Sequence, residues 1–376
     1  MNPLESYCPT SKDWRVRWDE MSDQFEWVRA MLGCPQDPIF HAEGDVWTHV
    51  GMVLESLAAD EEFRALELTD RQIVFAAALL HDVAKPACTR TEDGRITSRG
   101  HSLRGSKMAR RILWELDWDF RARKQICALV RYHQMPFHLI TRPDSRRMAY
   151  MISQTARCNL LTMLARADAL GRKCSNQDEL LTNIALFQEF CSEHDCLVGP
   201  RQFPSAHSRF IYFRSPDRDA DYCAYENPRC EVTLTSGLPG AGKDTWITLH
   251  RPNTAQVSLD RIRDEIGAEP TGNQGAVIQA AREKARSFLR SGTSFVWNAT
   301  NVSKEIRTQI VDLAFAYDAQ IRIVYVEASR AILFEQNRSR SAIVPTAAVE
   351  RLFDRWDVPD ITEADHVEWW IDGVSA

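Results

Sequence analysis

GLPGAGKDTW, residues 237–246, decides how the C-terminal half of this 376-residue chain is read. It fits the pattern GxxxxGK followed by a polar residue. It stands between EVTLTS (231–236), which alternates like a strand, and a segment of helical length. Glycines in such a loop let backbone N–H groups converge on a β-phosphate, the helix N-terminus favours the anion, and Lys243 reaches the β and γ oxygens. The expected ligand is ATP or another nucleoside triphosphate with Mg2+, held by Gly237, Pro239, Gly240, Ala241, Gly242, Lys243, Asp244 and Thr245.

Outward from the loop, AQVSLD (255–260), SFVWNA (294–299) and IRIVYVE (321–327) are further short strands separated by helix-length segments. That alternation implies a parallel sheet with helices on both faces. The strand after the loop delivers SLDRIR (258–263), with Asp260 and Arg263 three apart and Ser258 just before. A carboxylate at the mouth of such a sheet can orient an acceptor hydroxyl and take its proton. An arginine one turn on can grip a phosphate of the acceptor in a forked contact.

With NATN (298–301) and the arginine-rich NRSRSAIVP (337–345), these residues resemble the polynucleotide 5'-hydroxyl kinase family over most of residues 230–358. The resemblance implies Asp260 as general base and Arg263 as clamp on the acceptor end. It makes Ser258, Thr300 and Asn301 acceptor contacts, and it leaves Arg338 and Arg340 as alternatives for the lid arginine on the donor phosphates. Thr300 and Asn301 also suit a turn and helix cap. Many family members carry Ser or Thr after the loop lysine and Asp where Asn298 stands here. Either the acidic contribution to the magnesium shell has moved to Asp244, or Asp244 caps the helix start, where a carboxylate is favoured.

The N-terminal half reads as helical almost throughout. Val46, Val50, Val53, Leu54 and Leu57 recur at helix spacing, and IVFAAALLHDVAK (73–85) is apolar on nearly every side, the mark of a buried central helix. His49 points the way Val46 and Val53 point, His133 continues the stripe of Ile126 and Val130, and Asp168 follows Leu164 by one turn. Burying several ionisable groups in one core is very unfavourable unless something pairs with them, and a divalent cation does so for all together. Imidazole and carboxylate donors suit Mn, Zn, Fe, Co or Ni better than Ca.

The ordered series EGDVWTHV, LLHDVAKP, RGHSLRGSKMA, VRYHQ and RADALGR resembles the HD phosphohydrolase superfamily. Carried over, His49, His81, Asp82 and Asp168 are core metal ligands, and His101 and His133 are the extra histidines that allow a second metal. The activity implied is phosphoester hydrolysis by metal-activated water. Lys85 is placed to neutralise the phosphate, with Arg172 as a weaker candidate for the site or a surface residue.

The expected architecture is thus multidomain. An all-α HD helical bundle (1–196) and a Pro-punctuated connector (197–229) precede an α/β P-loop kinase domain with a parallel sheet (230–376). In the connector, Arg209, Phe210, Tyr212, Phe213 and Arg214 suit either a grip on single-stranded nucleic acid or packing between domains. The net charge of −6 argues against coating a nucleic acid wholesale, so any contact is confined to a site. Ten scattered cysteines without a CxxC pair read as free thiols of a reducing cytoplasm, Cys191 and Cys196 included. No signal peptide or membrane-length apolar run stands out, so no membrane partner is expected.

The whole resembles the bacterial HD-Pnk end-healing enzymes. The partners this implies are single-stranded or nicked RNA or DNA ends, ATP, and a separate polynucleotide ligase, since no ligase motif is present. Two other readings stay open: an HD nucleotidase fused to a nucleoside-type small-molecule kinase, and a regulatory module that binds nucleotide without turnover.

Overall fold

The computed structural model describes residues 3–269, 272–339 and 343–376, so Arg340 lies outside the described residues. The chain divides into two compact units, Met1–Gln202 and Phe203–Ala376. The segment 197–229 is shared between them. Asn159 N donates to Leu197 O (2.9 Å) and Gln154 Nε2 to Arg201 O (2.9 Å) in the first unit, while everything from Phe203 onward belongs to the second. Among the described residues no helix is long and apolar enough to cross a membrane.

The first unit is built on helices α1 (Val46–Ala59), α2 (Leu68–Leu80), α3 (Lys85–Cys88), α4 (His101–Glu115), α5 (Phe120–Tyr132), α6 (Cys158–Leu170) and α7 (Gln177–Glu193). As its apolar run demands, α2 is central. Ile73 through Leu80 are all buried, and α1, α5 and α6 pack around it. Asp45 sets the start of α1 by accepting from Thr48 N (2.9 Å), and Asp119 does the same for α5 through Ala122 N (3.0 Å).

One feature departs from the all-helical expectation. Between α3 and α4 an antiparallel hairpin joins β1 (Arg90–Glu92) to β2 (Arg95–Thr97). Its turn is Asp93-Gly94, with φ of 50° and 75°, the left-handed pair that a two-residue hairpin turn requires.

The second unit opens with α8 (Ala206–Arg214) and continues β3 (Glu231–Ser236), α9 (Lys243–His250), β4 (Ala255–Ser258), α10 (Leu259–Glu265), α11 (Gly275–Arg290) and β5 (Phe295–Asn298). It closes with α12 (Lys304–Phe315), β6 (Gln320–Glu327), α13 (Arg330–Ser339), α14 (Thr346–Phe353), β7 (His366–Ile371) and β8 (Val374–Ser375). The sheet order is β4-β5-β3-β6-β7-β8, with every neighbouring pair parallel except the last. The four strands read from sequence are its first four positions. The fifth and sixth, β7 and β8, are additions, joined by a second Asp-Gly turn at Asp372 (φ 48°) and Gly373 (φ 84°).

The connector aromatics find their partners inside this unit. Phe210 is buried in the same core as Val232, Leu234, Ile323 and the inner faces of α11 and α12, with its ring edge-on to Phe315 at 5.8 Å. Arg214 covers the Phe315 ring at 4.7 Å, and Arg209 Nε donates to Ile361 O (2.9 Å). Truncation of a fully buried phenyl ring typically costs about 3–5 kcal/mol. Phe210→Ala is therefore expected to move the chemical-denaturation midpoint of the second unit sharply down, while Phe213→Ala, at a partly buried position, moves it much less.

Candidate active sites

In the first unit every sequence-expected metal ligand arrives at one buried cluster. His49 comes from the second turn of α1, His81 and Asp82 from the point where α2 ends, His101 from the first position of α4, His133 from the end of α5, and Asp168 from the last turn of α6. His49 Nε2 lies 3.2 Å from Asp168 Oδ1 and 3.8 Å from Asp82 Oδ2. His81 Nε2 is 3.2 Å from Asp82 Oδ2, and His101 Nε2 is 3.3 Å from Asp82 Oδ1.

Backbone carbonyls set the tautomers. His81 Nδ1 meets Ala78 O at 2.7 Å, His101 Nδ1 meets Ser98 O at 2.8 Å, and His133 Nδ1 meets Val130 O at 2.7 Å. A carbonyl only accepts, so each Nδ1 carries the proton and each Nε2 turns a lone pair inward. His49 Nδ1 is held by Gly171 O (3.2 Å) and by Glu43 Oε1 (3.0 Å).

Close packing makes the convergence possible. A Cβ on Gly171 would stand 2.6 Å from Val53 Cγ2 and 2.8 Å from Val53 N, so only glycine lets the end of α6 reach α1.

The electrostatics suit a cation. Burial opposes ionisation of Asp82, yet His81 and Lys85 hold its carboxyl well below the usual range. Burial likewise opposes ionisation of Asp168, which Arg172 holds well below it. Burial pushes His133 down to about 3 and lowers His101, so both offer lone pairs. For His81 burial is outweighed by Asp82 and the value rises, because a proton there answers the same negative field a cation would.

His49 Nε2, His81 Nε2 and Asp82 Oδ1 are buried with no hydrogen-bond partner among the described residues. Orphaned acceptors of this kind, three in one cluster, fit a divalent metal. The lone pairs of His101 Nε2 and His133 Nε2 face each other at 3.3 Å, an arrangement an intervening cation relieves.

Lys85 is buried rather than solvated, with Nζ 2.7 Å from Asp82 Oδ2 and 2.6 Å from Gln36 Oε1. Arg172 is likewise part of the cluster, forked onto Asp168 at 2.9 and 2.8 Å and lying over the Phe137 ring at 4.7 Å. Sequence reading missed Gln36, His41 and Glu43, which precede α1 and so belong to no periodic stripe.

In the second unit the loop between β3 and α9 takes the shape its glycines permit. Gly237, Gly240 and Gly242 have φ of 152°, 84° and 96°. A Cβ on Gly237 would stand 2.2 Å from Val326 O, and one on Gly240 2.6 Å from Leu333 O. Lys243 Nζ lies across the loop mouth, 2.9 Å from both Gly237 O and Leu238 O.

A cavity of about 330 Å³ brings together Pro239, Lys243, Asp244, Asp260, Arg263 and Thr300, among others. Asp260 sits in the first turn of α10 with its side chain 73% exposed, paired with Arg263, whose Nε also donates to Gln274 Oε1 (3.0 Å). Asp244 Oδ1 accepts from Asn298 Nδ2 at 2.7 Å, so the two positions that depart from the kinase pattern touch each other.

Other expected residues have structural duties. Ser258 caps α10 through Arg261 N, and Asn301 lines the cavity while its amide is committed to Thr235 O (2.8 Å). Thr300 O accepts from Gly237 N (2.9 Å), which ties the phosphate loop to the segment after β5. Gly237, Gly240, Ala241, Gly242 and Thr245 shape the loop and helix start without lining the cavity, and Arg338 is exposed in the last turn of α13. Arg282 on α11 is a cavity cation the sequence reading missed. It donates to Gln309 Oε1 (2.7 Å), and nothing in its spacing marks it out.

Residues 46–173 match the HD domain family and residues 232–359 match an AAA domain family. Among solved structures, the chain is similar to a "putative kinase" from Chloroflexus aurantiacus J-10-fl, at 18% identity over 40% of this chain and 88% of that one. Its TM-score is 0.33, too loose a likeness to bear on function. The chain thus joins a segment of the HD domain type, carrying candidate ligands for a divalent metal, to one of the AAA domain type whose Gly-rich P-loop suits a nucleotide with Mg2+.

Proposed function

We propose that this chain heals broken nucleic-acid ends, phosphorylating a 5'-hydroxyl from ATP in the second unit and hydrolysing a 2',3'-cyclic, 2'- or 3'-phosphate in the first. The observation that carries the polynucleotide reading is the Asp260–Arg263 pair in the same cavity as Lys243. Lys243 holds the donor's β and γ oxygens, Asp260 takes the proton of the attacking hydroxyl, and Arg263 grips the phosphodiester beside it. The γ-phosphoryl passes to the 5' oxygen and the nucleoside diphosphate leaves. A pocket for a free nucleoside has no such use for a forked cation one helical turn from the base.

In the first unit the metal supplies Lewis acidity and an activated water when bound. His49, His81, Asp82 and Asp168 would hold it, with His101 and His133 placed for a second ion. Lys85 and Arg172 bring positive charge to the same cluster, where an anionic phosphoester must approach two carboxylates. A separate ligase and a cytoplasmic setting complete the proposal.

One substrate tests both halves: an RNA with a 5'-hydroxyl and a 2',3'-cyclic phosphate, offered with ATP and Mn2+, Ni2+, Co2+ or Zn2+. Asp260→Ala is expected to lower 5' phosphorylation at least 100-fold and leave 3' processing intact, and Asp82→Ala the reverse, scored by end-group analysis of the labelled RNA. Free nucleosides accepted as well as the oligonucleotide would point instead to a small-molecule kinase.

The Asp244–Asn298 contact yields a second expectation. If Asp244 contributes to the magnesium shell, Asp244→Ser raises the Mg2+ concentration needed for half-maximal kinase activity several-fold, and adding Asn298→Asp restores it. A double variant no better than the single one would leave Asp244 as a helix-start carboxylate.

A further inference from the structure

Resting on the HD metal-centre reading, we infer that Glu43 is a positioning residue for that centre, one carboxylate that orients the first metal ligand and ties it to the segment carrying the last. The Glu43 side chain is 0% exposed. Its Oε1 lies 3.0 Å from His49 Nδ1 and 2.7 Å from His41 Nδ1, and its Oε2 accepts from Lys173 N at 2.8 Å.

Those three contacts join two distant parts of the chain. Lys173 directly follows Arg172, which is forked onto Asp168, so the carboxylate reaches His49 from one side and the Asp168 anchor from the other. Ala42 N donates in turn to Lys173 O (2.9 Å), which makes the connection two-stranded.

His41, Glu43 and His49 themselves offer three donor atoms close together. A cation there is the competing reading, and His49 decides against it. Gly171 O stands 3.2 Å from its Nδ1 and requires a proton there, while its Nε2 faces Asp168 and Asp82. A metal on Nδ1 would turn the proton to Nε2 and remove His49 from the main cluster. Glu43 therefore fixes the imidazole's orientation and its Nδ1-protonated tautomer, which would leave Nε2 free for a cation. Where His81, His101 and His133 use a carbonyl three residues back, His49 leans on a charged group as well as on a carbonyl from a distant segment.

The test is Mn2+ titration of the nucleotide-free full chain by calorimetry, with wild type, Glu43→Gln, Glu43→Asp and Asp82→Ala side by side. Long-range 1H–15N correlation of the histidine rings reads the His49 tautomer independently. Glu43→Gln replaces an all-acceptor group with one that also donates, and it is expected to weaken Mn2+ binding about 10–100-fold. Glu43→Asp should fall between it and wild type. The wild-type His49 ring should be protonated at Nδ1, a readout that needs no variant if the Gln protein does not fold.

A merely structural glutamate would lower the melting temperature of the metal-free protein and leave Mn2+ affinity alone. Affinity in Glu43→Gln within threefold of wild type, or a wild-type His49 protonated at Nε2, overturns the inference while the metal centre stands. Wild-type protein that binds no Mn2+, or Asp82→Ala that binds it equally well, removes the metal centre and this inference with it.

Discussion

Two carboxylates sealed from water govern the first unit. Asp82 and Asp168 are 1% and 0% exposed, and an ionised carboxylate in that position is tolerated only when its charge is met and its lone pairs are engaged. Lys85 meets one and Arg172 the other. Neither cation engages the inward nitrogens of His49 and His81, nor the second oxygen of Asp82. The helices are thus drawn together around a polar interior that the chain's own donors do not complete. The glycine at 171 and the capped start of α1 are the local choices that let so many acceptors approach one another.

The second unit solves the opposite problem. Its ligand is an anion, and the fold supplies backbone N–H groups, Lys243, Arg263 and Arg282 around a cavity that stays open at Asp260. A few glycines let the phosphate loop close up, since a side chain at Gly237 or Gly240 would collide with the carbonyl of Val326 or Leu333. Thr300 and Asn301, whose residue types suggest contacts to substrate, fasten the loop after β5 to β3 and to the phosphate loop, so the two rims of the cavity hold a fixed spacing.

Much of this was legible in the residues because it follows from periodicity or from motif chemistry. The inward direction of His49, His133 and Asp168 follows from apolar spacing on their helices, and the phosphate loop from its glycines. The hairpins at Asp93-Gly94 and Asp372-Gly373 escaped although the Asp-Gly pair signals them, because β1, β2 and β8 are only two or three residues long and neither they nor β7 alternate between buried and exposed positions. Glu43 and Arg282 escaped for a different reason. Their roles are set by what the fold brings beside them from more than a hundred residues away for Glu43 and from the neighbouring helix for Arg282. Phe210 and its neighbours were ambiguous, since an aromatic-basic stretch serves stacking on bases and packing on a sheet equally well, and only burial separates the two.

The two units thus differ in the sign of the charge they are prepared to receive. A phosphoester approaching the first unit meets Asp82 and Asp168, and Lys85 and Arg172 are already spent on them. Positive charge beyond what the chain provides is therefore a precondition for anion binding there. A polyphosphate approaching the second unit meets a lysine, two arginines and a helix N-terminus, and its own magnesium arrives with it. On the proposed reading, hydrolysis at a 3' end depends on the supply of metal that the first unit captures, whereas phosphorylation at a 5' end depends on the nucleotide pool. One polypeptide then carries two phosphorus chemistries under separate control, with no need for the centres to communicate.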